Sequence, residues 1–161
     1  MENPDKITIV QPFITHYRED FFLYLSEKLP FDLLCVSKPK EIDSFKESSR
    51  ISVTWMRSLK LGSLSFFNPF SLLLNKNKII VTIWDPRWIG LYLMLLFKIV
   101  TKRKIIIWTH GISIKKGFNS ESIKDRIKIF FFNFADGICF YTENELNILS
   151  PHLNKPKLFY I

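Results

Sequence analysis

The sequence predicts a single α/β domain built on a doubly wound, mainly parallel β-sheet. Predicted strands and helices alternate along the chain, which is typical of sheets whose parallel strands are joined by helical crossovers. The strands are continuous apolar runs, as expected when helices cover both faces of the sheet. With 161 residues, of which 47% are hydrophobic and 24% charged, the chain suits one domain that buries about two thirds of its unfolded surface. We therefore expect residues 1–161 to form one domain.

The first half of the chain predicts three strands and one long helix. The β-branched run at residues 6–10 predicts a strand, and apolar residues at helical spacing predict a helix over residues 17–29. Residues 31–36 and 51–56 predict the second and third strands. The polar segment between them, residues 37–50, predicts an exposed connection with room for a short helix.

Capping signals mark the helices of the second half. Asn68-Pro69 and Asp85-Pro86 each place proline after an N-cap residue, and residues 142–145 form a capping box. The strands predicted in this half are residues 79–84, 104–108, 136–141 and 157–161. The helices predicted between them are a short one that ends at residue 74, one that ends at residue 100, one over residues 123–134 and one that ends at residue 149. This alternation predicts a Rossmann-like sheet.

The helix over residues 123–134 has an apolar stripe and a basic side. The stripe follows 3.6-residue spacing and comprises Ile123, Ile127, Phe130, Phe131 and Phe134. The basic residues expected on the outer face are Lys124, Arg126 and Lys128. We expect the stripe to face the core.

The charge of +8 is concentrated in one segment. Residues 98–128 contain nine lysines or arginines and two acidic residues, a net charge of +7. Such an excess favours an anionic partner, meaning phosphates, nucleic acid or an acidic lipid surface, and a solvated basic face is the alternative.

Several classes of protein and site lack support in the sequence. The N-terminus is polar and acidic rather than basic and then apolar, and the longest apolar run, residues 88–97, is shorter than the roughly 18 residues that span a bilayer. Cys35 and Cys139 lie in apolar runs and are expected to be reduced core residues of a cytoplasmic protein. Neither a glycine-rich nucleotide loop nor a hydrolase elbow is present, and the histidines do not share metal-ligand spacing. We expect no metal and no bound cofactor.

Ligands of doubly wound sheets bind at the carboxyl ends of the strands. We expect the first, fourth and fifth strands to be central, which brings Gln11, Trp84 and His110 to one edge of the sheet. His110 ends a strand and precedes Gly111, so it is suited to hydrogen bonding or proton transfer, the alternative being a role in holding the loop. Arg18 lies at the start of the first helix, where it is suited to binding an anion together with the N-terminus of that helix. The alternative is an arginine that is solvated on the helix surface. Asp85 is explained as a helix cap.

Two parts of the chain resemble a known family. Residues 9–12 followed by residues 16–22 and Leu25 resemble the opening of the family 4 glycosyltransferases, which have the GT-B fold. Residues 108–111 and 135–145 resemble later landmarks of the same N-terminal domain. In that family the N-terminal domain binds the acceptor and a C-terminal domain binds the nucleotide-sugar. Members with a lipid-linked acceptor commonly dock on the cytoplasmic face of the membrane through basic, apolar helices, and the helix over residues 123–134 resembles such a surface.

The resemblance implies the acceptor-binding domain of a retaining glycosyltransferase that builds a cell-surface polysaccharide or glycolipid. His110 is then the catalytic candidate, and Gln11, His16, Arg18 and Gly111 are candidates for acceptor binding. Because the last residues read as an apolar strand, we expect a donor-binding half to follow and the chain alone to be inactive. Peripheral binding to the inner face of the membrane is also expected. The alternatives are a non-catalytic binding subunit of a split glycosyltransferase and a basic Rossmann-like module that binds nucleic acid.

Overall fold

The computed structural model describes residues 6–14, 16–36, 52–73, 77–112, 117–154 and 157–160. The strands are β1 (Ile7–Gln11), β2 (Phe31–Cys35), β3 (Ser52–Trp55), β4 (Ser58–Leu61), β5 (Leu64–Phe67), β6 (Ile79–Ile83), β7 (Lys104–Thr109), β8 (Gly137–Phe140) and β9 (Lys157–Tyr160). The helices are α1 (His16–Lys28), α2 (Phe70–Leu73), α3 (Ile89–Thr101), α4 (Ile123–Phe132) and α5 (Glu143–Leu149), with a 3₁₀ turn at Ser150–His152.

Seven strands form one parallel sheet in the order β3-β2-β1-β6-β7-β8-β9. The chain winds outward from β1 to β3, returns to the other side of β1, and winds outward again from β6 to β9. This confirms the predicted doubly wound α/β fold, and it confirms β1, β6 and β7 as neighbouring central strands. The order reverses between β1 and β6, so the carboxyl ends of these strands flank the crevice where such sheets bind ligands.

Each face of the sheet has its own core. On one face, Phe22 of α1 packs with Ile9 and Leu33. On the other face, α3, α4 and α5 cover a larger core that includes Met94 and Phe132. The two cores explain why the strands are apolar on both sides.

A β-hairpin that the sequence analysis did not identify joins the third strand of the sheet to α2. In this hairpin Leu59 lies opposite Phe66 and Leu61 lies opposite Leu64. The backbone N–H of Ser65 donates to the carbonyl of Arg87 at 2.9 Å, which attaches the hairpin to the start of α3. The hairpin escaped prediction because both strands have only four residues and most of their apolar side chains are exposed, Phe67 being the buried exception.

The predicted orientation of α4 is only partly correct. As expected, Phe131 and Phe134 pack against the core and Lys124 and Arg126 are exposed. Ile123, Ile127 and Phe130 were expected in the core, but their exposed fractions are 73%, 47% and 55%. Lys128 was expected on the outer face, but its side chain is only 14% exposed. The helix carries two apolar sides, and the one that includes Ile129 and Phe132 packs on the sheet. Lys128 can be nearly buried there because its ammonium group pairs with the carboxylate of Asp125 and donates a hydrogen bond to the carbonyl of Gly111.

Two smaller predictions also change. Asp85-Pro86 forms a turn rather than the helix cap, since α3 begins at Ile89 after the N-cap residue Trp88. Residues 37–50, expected to be an exposed connection, lie outside the described residues. Both cysteines are free thiols, and burial raises the pKa of Cys35 to about 12, which suppresses thiolate chemistry near neutral pH.

The hairpin depends on a glycine in α3. A Cβ placed on Gly90 would lie 2.6 Å from the carbonyl oxygen of Phe67, so an added methyl group must displace the backbone of β5. We expect Gly90→Ala to lower the free energy of unfolding by about 1–3 kcal/mol, because overpacking outweighs the better helix propensity of alanine. Urea unfolding measures the change. Ile99→Ala, at a 68% exposed position of the same helix, serves as the control and should stay within about 0.5 kcal/mol. An unchanged midpoint for Gly90→Ala would contradict the close packing of hairpin and helix.

Candidate functional site

A pocket opens at the carboxyl ends of β6, β7 and β8, beside the point where the strand order reverses. Its volume is about 320 Å³, near the lower end of the 300–1,000 Å³ typical of small-molecule sites. The side chains and backbone that matter for its chemistry come from Arg18, Trp84, His110, Gly111, Lys128 and Tyr141. The position of this pocket agrees with the general rule for ligand binding in open α/β sheets.

Arg18 spans the sheet above its carboxyl edge. One guanidinium nitrogen donates to Oε1 of Gln11 at 2.7 Å, and another donates to the hydroxyl of Tyr141 at 2.7 Å. The guanidinium carbon lies 5.3 Å from the centre of the Trp108 ring, within range of a cation–π interaction. Three elements therefore fix the plane of this cation at the pocket.

Three rings form a stack beside Arg18. The rings of Trp108 and Tyr141 are 5.4 Å apart and inclined by 26°, and those of Tyr141 and His110 are 4.1 Å apart and inclined by 20°. Offset stacking of this kind adds about 0.5–1.5 kcal/mol to the burial of the rings. Tyr141 therefore holds both the guanidinium of Arg18 and the imidazole of His110 in position.

A carboxylate fixes His110 from its other side. Nδ1 of His110 lies 3.2 Å from Oε1 of Glu145, whose side chain is 11% exposed. The second oxygen of Glu145 accepts the backbone N–H of Thr142 at 3.1 Å, and the backbone N–H of Glu145 donates to the Thr142 hydroxyl at 3.2 Å. This is the predicted capping box of α5, and one carboxylate thus both starts a helix and orients an imidazole.

Gly111 is required by the backbone and by the core behind it. Its φ of +67° lies in the left-handed region, and its N–H donates to the hydroxyl of Thr109 at 2.8 Å. A Cβ at this position would lie 2.5 Å from Leu149 and 3.0 Å from Phe140. Packing therefore demands glycine here independently of any ligand.

Lys128 reaches the pocket from α4. Its ammonium group donates to the carbonyl of Gly111 at 2.6 Å and pairs with Asp125 at 2.6 Å. Desolvation raises the pKa of Asp125, but hydrogen bonds from Lys128 and from the backbone of Asn119, with the charge of Lys128, lower it more, so the pKa lies below its usual value. Asp125 is therefore ionised near neutral pH and keeps Lys128 in place.

Two buried N–H donors next to Arg18 have no acceptor among the described residues. They are Nε2 of Gln11, whose side chain is fully buried, and Nε1 of Trp108. Buried polar atoms without partners are uncommon, and an N–H group without an acceptor makes the local electrostatic potential more positive. The surroundings of Arg18 are consequently rich in donors.

The structure brings four of the five sequence-predicted residues to this edge of the sheet: Gln11, Arg18, His110 and Gly111. Gln11 lies behind Arg18 rather than in the pocket wall. His16 is the first residue of α1, and its side chain lies outside what the structure describes.

Sequence reasoning gave Lys128 and Glu145 no role in the site, and it placed Tyr141 at the carboxyl end of a strand without assigning it a role. For Tyr141 and Glu145 a signal existed, because both follow β8, and the carboxyl ends of neighbouring parallel strands meet at one edge. For Lys128 the sequence offered only a charged residue on an amphipathic helix.

A scan against profiles of protein families finds no match to this sequence, and a search of curated proteins finds no significant similarity. Within the described part of the chain, no group of three His, Cys, Asp or Glu side chains is placed to share a metal ion. The site is therefore interpreted from its own geometry.

The role of Gly111 in packing is testable with a matched pair of variants. Gly117 has the same φ of +67° but no atom within 4 Å of the ideal Cβ position. We expect Gly117→Ala to cost about 1 kcal/mol from backbone strain and Gly111→Ala to cost about 1–3 kcal/mol more, because its methyl group meets Leu149. Thermal or urea unfolding of both variants measures the difference, and equal costs would contradict the close packing behind Gly111.

Proposed function

We propose that this chain is the acceptor-binding domain of a glycosyltransferase that builds a cell-surface polysaccharide or glycolipid. The observation that carries the proposal is the His110–Glu145 pair at the mouth of a pocket on the carboxyl edge of a doubly wound sheet. The resemblance to the family 4 glycosyltransferases, described above, supports the same assignment.

The histidine is suited to hydrogen bonding and proton transfer. Its side chain is 57% exposed, so a ligand can reach it. An ionised carboxylate only accepts hydrogen bonds, so the contact with Glu145 favours a proton on Nδ1 of His110. In the neutral ring Nε2 is then an acceptor for a sugar hydroxyl.

The walls of the pocket suit a sugar-sized ligand. Trp84 and Tyr141 supply aromatic surface, while Arg18, His110 and the Gly111 backbone supply polar groups. Pockets that combine apolar walls with a few fixed polar groups select small ligands by orientation. In the proposed enzyme the nucleotide-sugar is held by a separate donor domain, and transfer takes place between the two.

A second surface of the molecule suits a membrane. We define the apolar face as the exposed residues Leu93, Leu96, Phe97 and Val100 of α3 and Ile123, Ile127 and Phe130 of α4. The two helices are neighbours, since the rings of Tyr92 and Phe131 are 4.6 Å apart. Exposed apolar side chains concentrated on neighbouring helices are typical of an interaction site.

The charges around the apolar face favour an anionic bilayer as its occupant. The exposed cations on and beside the two helices are Lys102, Lys104, Lys124 and Arg126. Lys98 is paired with Asp136 at 2.7 Å and contributes less. Each Lys or Arg near an anionic surface contributes about 1 kcal/mol, and apolar side chains add burial in the headgroup region. Among the residues that the structure describes, no helix combines the length and apolar character needed to cross a bilayer.

The enzymatic proposal predicts a dependence on a donor domain. The chain alone should transfer no hexose from radiolabelled UDP- or GDP-hexoses to lipid or polysaccharide acceptors, whereas the chain joined to a donor-binding domain should do so. The assay counts label in the acceptor fraction. Turnover by the isolated chain would contradict the assignment to the acceptor side alone, and no transfer by the joined protein would favour a non-catalytic binding subunit.

His110 is expected to matter for transfer and little for folding. In the joined protein His110→Ala should lower the rate of transfer by roughly 10² to 10⁴-fold if the imidazole moves a proton. The free energy of unfolding should change by about 1 kcal/mol or less, since the side chain is exposed. His152→Ala is the control, because His152 is exposed in the 3₁₀ turn and lies away from the pocket lining. Normal transfer by a strongly destabilised His110→Ala variant would make the histidine structural.

The membrane proposal is tested by co-sedimentation with vesicles of phosphatidylglycerol and phosphatidylcholine at low ionic strength. Phe130→Ser should weaken binding about fivefold, because the partial burial of one phenyl ring contributes about 1 kcal/mol. Tyr24→Ser is the matched control: Tyr24 is 61% exposed, close to the 55% of Phe130, but lies on α1 across the sheet. Binding should also fall with added salt. Equal effects of the two variants, or salt-sensitive binding to oligonucleotides without binding to vesicles, would overturn the proposal.

A further inference from the structure

Two cationic side chains approach the pocket from opposite faces of the sheet. Arg18 belongs to α1, whose Phe22 packs in one core, and Lys128 belongs to α4, whose Phe132 packs in the other core. Both side chains line the same pocket of about 320 Å³. The sheet edge thus holds positive charge on two sides of one small cavity.

The carboxylates of this region lie behind the cations rather than in the pocket wall. No Asp or Glu is among the described lining residues. Asp125 pairs with Lys128, and Glu145 contacts His110, so each holds a basic side chain in place without itself lining the pocket. A ligand in the pocket therefore meets the basic groups first.

Both cations are held in fixed positions. Gln11 and Tyr141 orient the guanidinium of Arg18, and the Gly111 carbonyl and Asp125 hold the ammonium of Lys128. Fixed cations bind an anion with less loss of side-chain entropy than mobile surface lysines do. The buried N–H groups of Gln11 and Trp108, which have no acceptor in the described part of the chain, add to the positive potential beside Arg18.

We infer that the pocket binds a phosphate group, with Arg18 and Lys128 contacting its oxygens from two sides and His110 at its edge. A guanidinium has five N–H donors in a planar fork that matches phosphate oxygens, and an ammonium acts as a point charge beside it. Resting on the proposed function, this inference makes the acceptor a phosphate-bearing molecule, either a sugar phosphate or a lipid phosphate. The aromatic surface of Trp84 and Tyr141 then faces the organic part of the ligand.

Isothermal titration with glucose 1-phosphate, and with methyl glucoside as an uncharged comparator, tests the inference at constant ionic strength. The phosphate should bind at least about tenfold more tightly than the glycoside, since hydrogen bonds to a charged group favour binding by that factor or more. Inorganic phosphate and neutral phosphatidylcholine vesicles containing polyprenyl monophosphate distinguish a free phosphate from a lipid-linked one. Sulfate at equal concentration measures unspecific anion binding. Equal affinity for glucose 1-phosphate and methyl glucoside, or for sulfate and every phosphate, would overturn the inference.

Charge variants locate the site. Arg18→Gln and Lys128→Gln should each weaken phosphate binding about tenfold or more, whereas Lys124→Gln, an exposed position on the same helix as Lys128, should change it less than about twofold. Lys128→Arg keeps the charge and should stay within about threefold of the native affinity, and circular dichroism shows that each variant is folded. If Lys128→Gln does not fold, Arg18→Gln and Lys128→Arg still decide the matter. An equal loss of phosphate affinity in Arg18→Gln, Lys128→Gln and Lys124→Gln would show that binding depends on the overall surface charge, and it would overturn the inference.

The result separates this inference from the proposed function. Phosphate binding that depends on Arg18 and Lys128, with no sugar transfer by the joined protein, would support the site and contradict the enzyme. Sugar transfer that is unaffected by both substitutions would support the enzyme and contradict the phosphate site.

Discussion

The geometry of the candidate site depends on one side chain, that of Arg18. It connects Gln11 at the end of β1 with Tyr141 after β8, although β6 and β7 lie between those strands. It also lies over the ring of Trp108 in β7. Hydrogen bonds to a charged group typically contribute about 1.5–3 kcal/mol to stability. The two hydrogen bonds of Arg18 therefore stabilise the contact between the two halves of the sheet. The position of Tyr141 in turn determines where the imidazole of His110 stacks.

The fold was predictable because burial on both faces of the sheet leaves a strong sequence pattern. The strands around Ile9, Ile80 and Ile106 are continuous apolar runs, and the right-handed crossover between parallel strands restricts their order. The carboxyl ends of these strands then follow from chain direction, which is why Gln11 and His110 could be assigned to one edge.

What could not be predicted has a physical reason in each case. Helix α4 has apolar residues on nearly every side, so hydropathy did not distinguish the side that carries Phe132 from the side that carries Phe130. The burial of Lys128 depends on Asp125 three residues earlier and on a carbonyl that is distant in sequence. The hairpin at residues 58–67 is held by contacts with α3 rather than by its own pattern. Such contacts join residues that are distant in sequence, so they leave no periodic pattern of apolar residues from which they could be predicted.

The capping box of α5 places two demands on one carboxylate. Glu145 caps the N-terminus of α5 with one oxygen and contacts the His110 imidazole with the other. Its replacement by aspartate would shorten the side chain by one methylene and could not satisfy both partners at once. A substitution at Glu145 that changes the stability of α5 therefore also changes how the imidazole of His110 is held.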